Sequence, residues 1–144
     1  MKRIFTMLLA AVMVFSLTSC VFNLTDRDSV IRLYERNEER FAAAAETGDF
    51  EKLEKIIGVQ EVDIREDGGS FQAEISCGAN GFASSTHYYG IFYSETVDFD
   101  NSVATKPDEW AKEGAGYRYT EAEGDNTFYY EPLGGGYYYF EEHY

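Results

Sequence analysis

The sequence predicts an α+β fold in which two N-terminal helices pack on one face of a five- to six-stranded antiparallel sheet. Three observations support this prediction. Apolar residues before Gly58 recur with the period of an amphipathic helix, whereas those after Gly58 alternate with the period of two that strands show. Turns rich in glycine, such as residues 134–136, then separate the later strands. Helices followed by strands in this order favour two layers around one core.

The first predicted helix spans residues 26–47 and ends at Gly48, and the second spans residues 50–57 and ends at Gly58. Asp49 precedes the second helix, where a short polar side chain caps free backbone N–H groups. The buried stripe of the first helix is formed by Val30, Ile31, Tyr34, Phe41 and Ala45.

Arginine recurs at every fourth position along another face of the first helix, at Arg32, Arg36 and Arg40. Acidic residues within three or four positions predict a solvated face laced with salt bridges. The alternative is an arginine row that touches lipid phosphates.

Six segments after Gly58 show the pattern of strands. They are residues 59–65, 71–75, 86–95, 117–121, 127–131 and 137–142. An acidic region at residues 97–116 reads as irregular. Cystatin-like and NTF2-like folds share this plan, and the analogy concerns architecture alone.

Aromatic residues occupy both faces of three predicted strands, although two helices cover only one face. Phenylalanine has no polar tip, so Phe92, Phe128 and Phe140 are predicted to face the helices. The opposite face then forms a ligand-binding platform for a wall glycan or an envelope protein. Its predicted residues are Tyr89, Tyr93, Tyr129, Tyr137 and Tyr139. The alternative is that Phe99, Val103 and Trp110 cover this face and that the rings only stabilise the sheet.

The N-terminus has the layout of a secretory signal, with Lys2 and Arg3 followed by an apolar run and small residues. Leu17-Thr18-Ser19-Cys20 resembles the lipobox of bacterial lipoproteins. The resemblance implies that residues 1–19 are a signal peptide and that the Cys20 sulfur carries a diacylglycerol. Residues 20–25 would then be a short tether, and residues 26–144 a single domain on the outer face of the cell membrane.

A second resemblance concerns the rest of the chain. Ser84-Ser85-Thr86-His87-Tyr88-Tyr89-Gly90 and Phe92-Tyr93-Ser94, with the later Trp110 and Gly124-Asp125-Asn126, are similar to small uncharacterised lipoproteins of gut-type clostridia. That group implies an envelope setting and no particular activity.

Composition limits the function classes. The net charge of −14 disfavours nucleic acid as a partner, since such a surface repels phosphates. Cys77 lies in an alternating segment and is predicted to be a small buried residue. No motif for a cofactor, a metal or a catalytic nucleophile stands out, and residues 98–109 lack the glycine that a calcium loop needs. We therefore expect a binding module rather than an enzyme.

The alternative is a small cell-envelope hydrolase that uses carboxylates as acid and base. Glu95, Asp98 and Glu121 are the candidates for such a pair, although no spacing distinguishes them from the other acidic residues.

Overall fold

The computed structural model of the chain describes residues 23–67, 70–82 and 85–144. The predicted signal peptide and the predicted lipidation site Cys20 lie outside these residues. All structural statements below concern the described part.

The helices depart from the prediction in their number and position. They are α1 (Arg27–Arg36), α2 (Glu38–Thr47), a 3₁₀ helix (Phe50–Lys55) and α3 (Phe99–Thr105). The single long first helix was predicted wrongly, because Asn37 interrupts it and donates its side-chain amide to Leu33 O at 2.9 Å. The helices are also not confined to the N-terminal part, since α3 lies within the region predicted as irregular.

No helix in the described ranges is long and apolar enough to cross a membrane.

The sheet is antiparallel and open, and it has seven strands instead of the predicted five to six. In chain order these are β1 (Glu61–Asp67), β2 (Ser70–Phe82), β3 (Ser85–Ser94), β4 (Trp110–Glu113), β5 (Gly116–Thr120), β6 (Thr127–Gly134) and β7 (Tyr137–His143). In space the order is β1-β2-β3-β7-β6-β5-β4. The additional strand is β4, which pairs with β5 across a tight turn at Gly114, where φ is +59°.

The first face of the sheet carries α1, α2 and the 3₁₀ helix. Each of these helices contributes a fully buried side chain to the main core, namely Val30, Phe41 and Leu53. The sheet contributes Ala73, Ile75, Cys77, Ile91, Tyr93, Tyr137 and Tyr139 to the same cluster. Cys77 is thus a buried residue, as predicted, and burial raises the pKa of its thiol to about 12.

The second face of the sheet is partly covered by α3. Phe99 of this helix is 6% exposed, and its ring lies 5.2 Å from Tyr117, 5.0 Å from Tyr130 and 5.1 Å from Tyr138. Trp110 lies beside it at 5.3 Å. Phe99 and Trp110 therefore cover part of the face opposite α1 and α2, as the alternative expects, but this face carries Tyr117, Tyr130 and Tyr138 instead of the predicted platform tyrosines. Helices occupy both faces of the sheet.

Candidate functional site

The five tyrosines of the predicted platform share one face, but it is the face that the helices cover. Tyr93, Tyr137 and Tyr139 are 4%, 2% and 0% exposed, so their predicted exposure is wrong. Tyr89 and Tyr129 are half-buried and pack against the same cluster.

The physical reason is that the phenol groups find partners inside the fold. Tyr137 donates its hydroxyl to Phe41 O at 2.8 Å, and Tyr93 donates to Glu95 at 2.9 Å. A satisfied hydroxyl removes the cost of burying a tyrosine, so the ring behaves as a large apolar residue. Phe92, Phe128 and Phe140 were predicted to face the helices, and this prediction is wrong for all three. They lie on the second face, where the strand pairing places Phe92 opposite Tyr138, Phe128 opposite Glu142 and Phe140 opposite Gly90.

The candidate acid–base residues Glu95 and Glu121 are not brought together. Asp98 caps α3 by accepting a hydrogen bond from Asn101 N at 3.0 Å, and Glu95 accepts one from Tyr93. Glu121 directly follows the last residue of β5. The cross-strand pairs place this end of β5 level with the start of β3. Glu95 follows the end of β3, so the length of that strand, roughly 25 Å at about 3.3 Å per residue, separates them.

A different pair of carboxylates lies at a groove on the second face. The groove has a volume of about 380 Å³. We call it the acidic groove and define it by the residues that line it, Glu74, Thr86, Tyr88, Glu142 and Tyr144. Strands β2, β3 and β7 position these side chains, since Tyr88 of β3 is directly opposite Glu142 of β7. The tyrosine rings are 41% and 43% exposed.

Gly90 and Phe140 shape the sheet next to the groove. The two residues are cross-strand partners, and Phe140 is 1% exposed. A Cβ atom at Gly90 would lie 2.6 Å from Phe140 Cε1 and 2.3 Å from Ile75 O. A glycine is therefore required here, because any side chain would displace the phenyl ring.

Tyrosine hydroxyls orient one of the two carboxylates. Glu142 accepts hydrogen bonds from Tyr144 at 2.9 Å and from Tyr130 at 3.3 Å. Tyr88 contacts Tyr144 edge to face with ring centroids 5.8 Å apart. This arrangement fixes the Glu142 carboxylate between aromatic rings.

The electrostatics of the acidic groove are unbalanced. Arg65 approaches Glu74 at 3.6 Å, but it also binds Asp63 at 2.8 Å. Burial and then the charge of Glu142 raise the pKa of Glu74 above its ordinary value. Burial likewise raises the pKa of Tyr130, and the charge of Glu142 adds to the effect. The charge of Glu142 disfavours the ionisation of Glu74, so an added cation would stabilise the charged form of this site.

No cluster of three His, Cys, Asp or Glu side chains in the described ranges is arranged to hold a metal ion. The chemistry available at the acidic groove is instead the attraction of two carboxylates and two exposed rings for an organic cation. Tyrosine rings attract ammonium and guanidinium groups through their faces, and carboxylates add charge-assisted hydrogen bonds.

Glu74 and Glu142 are not among the site residues predicted from the sequence. Glu74 lies between the buried Ala73 and Ile75, whereas both neighbours of Glu142 in β7 are half-buried. That alternation predicts the face of each residue, but only the strand order places β2, β3 and β7 side by side.

Comparison with known proteins adds no relative: the chain matches no protein-family model, no curated protein and no solved structure.

Proposed function

We propose that the protein is an extracytoplasmic lipoprotein, anchored through Cys20 to the outer face of the cell membrane, that binds cationic groups in its acidic groove. The anchor is supported by the lipobox-like Leu17-Thr18-Ser19-Cys20 after an apolar run. The observation that carries the binding role is the juxtaposition of Glu74 and Glu142 beside two half-exposed tyrosine rings.

The ligand class follows from this chemistry. A lysine or arginine side chain of an envelope protein offers one positive charge on an apolar stem, which suits carboxylates flanked by rings. A groove of about 380 Å³ has room for one or two such side chains rather than for a folded surface. The strongly negative chain also attracts cationic partners over long range and repels nucleic acid.

Calorimetric titration with a tetralysine peptide at low ionic strength tests the binding role. We expect the double variant Glu74→Gln/Glu142→Gln to weaken binding at least tenfold, because both groove charges are removed. The matched control is Glu51→Gln/Glu54→Gln, which removes the same charge from exposed positions on the 3₁₀ helix. Equal weakening in both double variants would show only general charge attraction and would overturn the proposal.

The pH dependence of binding provides a second readout. Since the pKa of Glu74 is raised, binding should strengthen as the pH rises through that raised value and Glu74 becomes charged. The same shift means that ionised Glu74 destabilises the fold, because the folded state holds its proton more tightly than the unfolded state does. Glu74→Gln should therefore lose binding while the free energy of unfolding at pH 7 stays unchanged or increases.

The hydrolase alternative has one observation in its favour, namely a carboxyl of raised pKa beside a second carboxylate in a groove. Incubation of the protein with wall glycan fragments distinguishes the two functions. A binding module releases no new reducing ends, whereas a hydrolase releases them in the wild type and not in the Glu74→Gln variant.

A further inference from the structure

Two arginines on α1 lack the carboxylate partners that the sequence predicts for them. Within the described residues, neither Arg32 nor Arg36 forms an ion pair, although the chain has a net charge of −14. Arg32 donates only to the hydroxyl of Ser29, at 3.2 Å within the same helix. Both arginines are exposed, as the prediction of a solvated face requires, but the predicted salt bridges are not formed at these positions. The charge of Arg32 still contributes to lowering the pKa of Asp26, after the hydrogen bonds from Ser29.

These arginines line a cleft of about 220 Å³ between α1 and the residues around Leu24 and Ile57. We call it the arginine cleft and define it by Leu24, Ser29, Arg32, Leu33, Arg36, Asn37 and Ile57. Ile57 is 74% exposed, which is unusual for an isoleucine on a folded surface. Gly58, with φ at +105°, lets the chain close against α1, since a Cβ atom there would lie 2.6 Å from Leu33 Cδ1. The turn thereby presents Ile57 outward beside the arginines.

A second groove on the helix layer also contains basic residues, together with Asp49. Arg40, Lys52 and Lys55 line a groove of about 250 Å³ between α2 and the 3₁₀ helix. Of these three, only Lys52 forms an ion pair among the described residues, with Asp49 at 2.7 Å. The helix layer as a whole is not basic, since residues 26–57 hold six basic and nine acidic residues. The arginine cleft itself is lined by two arginines and no carboxylate.

The arginine cleft lies close to the point where the chain leaves the described part. Asn23 is held against β2 by two hydrogen bonds of 2.9 Å with Ala79, and Leu24 N donates to Cys77 O at 3.1 Å. Only two residues separate Asn23 from Cys20, a reach of at most about 11 Å. A lipid on Cys20 therefore holds this part of the domain next to the bilayer.

We propose that the arginine cleft docks onto the phosphate groups of anionic lipids in the membrane that holds the anchor. The proposal rests on the proposed lipidation of Cys20. Guanidinium groups match phosphate oxygens in a two-pronged geometry, and Ile57 suits the boundary between headgroups and acyl chains. Charge complementarity selects the cleft rather than the whole helix layer, because its lining holds two arginines and no carboxylate.

Docking by the helix layer has a consequence for the acidic groove. The arginine cleft lies on the first face of the sheet and the acidic groove on the second. The anchored protein would then rest on the membrane through its helices and present the groove to the extracellular side. The two sites thus act together, one setting the orientation and the other receiving the ligand.

The experiment uses the full acylated chain, reconstituted in vesicles, with an environment-sensitive fluorophore on Ile57→Cys. Cys77 does not compete for the label, because it is 0% exposed and burial raises the pKa of its thiol to about 12. Ala104→Cys, exposed on α3 at the second face, is the matched control. Bromine-labelled lipids quench a fluorophore that reaches the headgroup region.

In phosphatidylglycerol vesicles we expect at least twofold quenching at position 57 and none at position 104. Phosphatidylcholine vesicles, or the added changes Arg32→Gln/Arg36→Gln, should abolish the quenching at position 57. An unquenched position 57, or equal quenching at both positions, would overturn the docking proposal. A change that follows protein concentration without vesicles would assign the cleft to a second copy of the chain.

Mass spectrometry and vesicle flotation separate this proposal from the proposed function. An acylated chain that floats with vesicles but leaves position 57 unquenched would refute docking and leave the lipoprotein intact. An unacylated Cys20 would overturn both.

Discussion

At the scale of single residues, the decisive feature is a tyrosine whose hydroxyl finds a partner inside the fold. Three tyrosines of the first face donate to the glutamate two positions later on the same strand. These pairs are Tyr93 with Glu95 at 2.9 Å, Tyr129 with Glu131 at 3.1 Å and Tyr139 with Glu141 at 2.6 Å. Residues two apart in a strand share a face, so each glutamate satisfies its own tyrosine.

This tyrosine–glutamate spacing is visible in the sequence for Tyr93, Tyr129 and Tyr139 and indicates a local acceptor for each of these hydroxyls. The rule that tyrosine prefers a wet edge predicted the grouping of Tyr89, Tyr129 and Tyr139 on one face, but it assigned that face to solvent. The rule compares a lone phenol with a phenyl ring, and it fails where an acceptor is supplied locally. The acceptor of Tyr137 is the carbonyl of Phe41, which lies far away in the chain, so no local pattern predicts it.

The first prediction concerns Tyr137, which lies in the main core. Its hydroxyl is buried and donates to Phe41 O at 2.8 Å, and burial raises its pKa. Tyr137→Phe leaves that carbonyl with one partner fewer, so the free energy of unfolding should fall by about 1 kcal/mol. Urea denaturation measures the change.

Tyr138→Phe is the matched control, because Tyr138 is half-buried on the second face and should change stability by less than about 0.5 kcal/mol. An equal loss in both variants would contradict the assigned role of the buried hydrogen bond.

At the scale of elements, an ion pair ties α1 to the sheet. Arg27 of α1 donates through Nε to Glu131 of β6 at 2.8 Å, and Tyr129 donates to the same carboxylate. The carboxyl side chain is 9% exposed and the arginine side chain 45% exposed. The hydrogen bond from Arg27 lowers the pKa of Glu131 below its ordinary value.

The stability of this connection should depend on pH in a defined direction. A lowered pKa in the folded state adds stability above the ordinary glutamate pKa of about 4.3, and this stability is lost as the pH falls through the lowered value. Arg27→Ala should therefore cost about 1 kcal/mol at pH 7, a value discounted because the arginine is half exposed, and the difference should shrink towards pH 3. Urea denaturation across this pH range measures it.

Lys106→Ala provides the control for the ion pair. Lys106 lies 3.5 Å from Glu109 on an exposed surface, and its removal should change stability by less than about 0.5 kcal/mol at either pH. A cost of Arg27→Ala that is the same at pH 3 and pH 7 would show that the arginine acts through its stem rather than through its charge.

Local sequence patterns predict some of the helices and strands but not all of them. The alternation around Ile75 and Ile91 predicted β2 and β3, and the glycine turns predicted the final meander. The strand β4 and the helix α3 escaped prediction because region 97–116 is acidic and its apolar residues are sparse. Phe99 and Trp110 are positioned by contacts with aromatic rings of β5 and β6, which lie later in the chain. Tertiary contacts decide the structure of such segments.

At the scale of the whole molecule, one sheet is shared by two aromatic layers. On β3, Tyr93 faces the main core while Phe92 faces the second layer, and on β7 Tyr137 and Tyr138 divide in the same way. A strand that leaves the sheet removes contacts from both layers at once. The prediction that residues 26–144 form a single domain can therefore be tested by asking whether the two layers unfold together.

The last prediction is that both layers unfold together. Trp110 is the single tryptophan and reports on the second layer, whereas far-ultraviolet circular dichroism reports largely on the helices of the first. Their urea transitions should coincide in midpoint and slope.

Phe99→Ala should move both midpoints equally, because loss of a buried phenyl ring lowers the free energy of unfolding by about 3 kcal/mol. Val103→Ala on the same helix is the control and should lower it by about 1 kcal/mol or less. A Phe99→Ala variant in which only the fluorescence midpoint moves would mean that the second layer opens by itself.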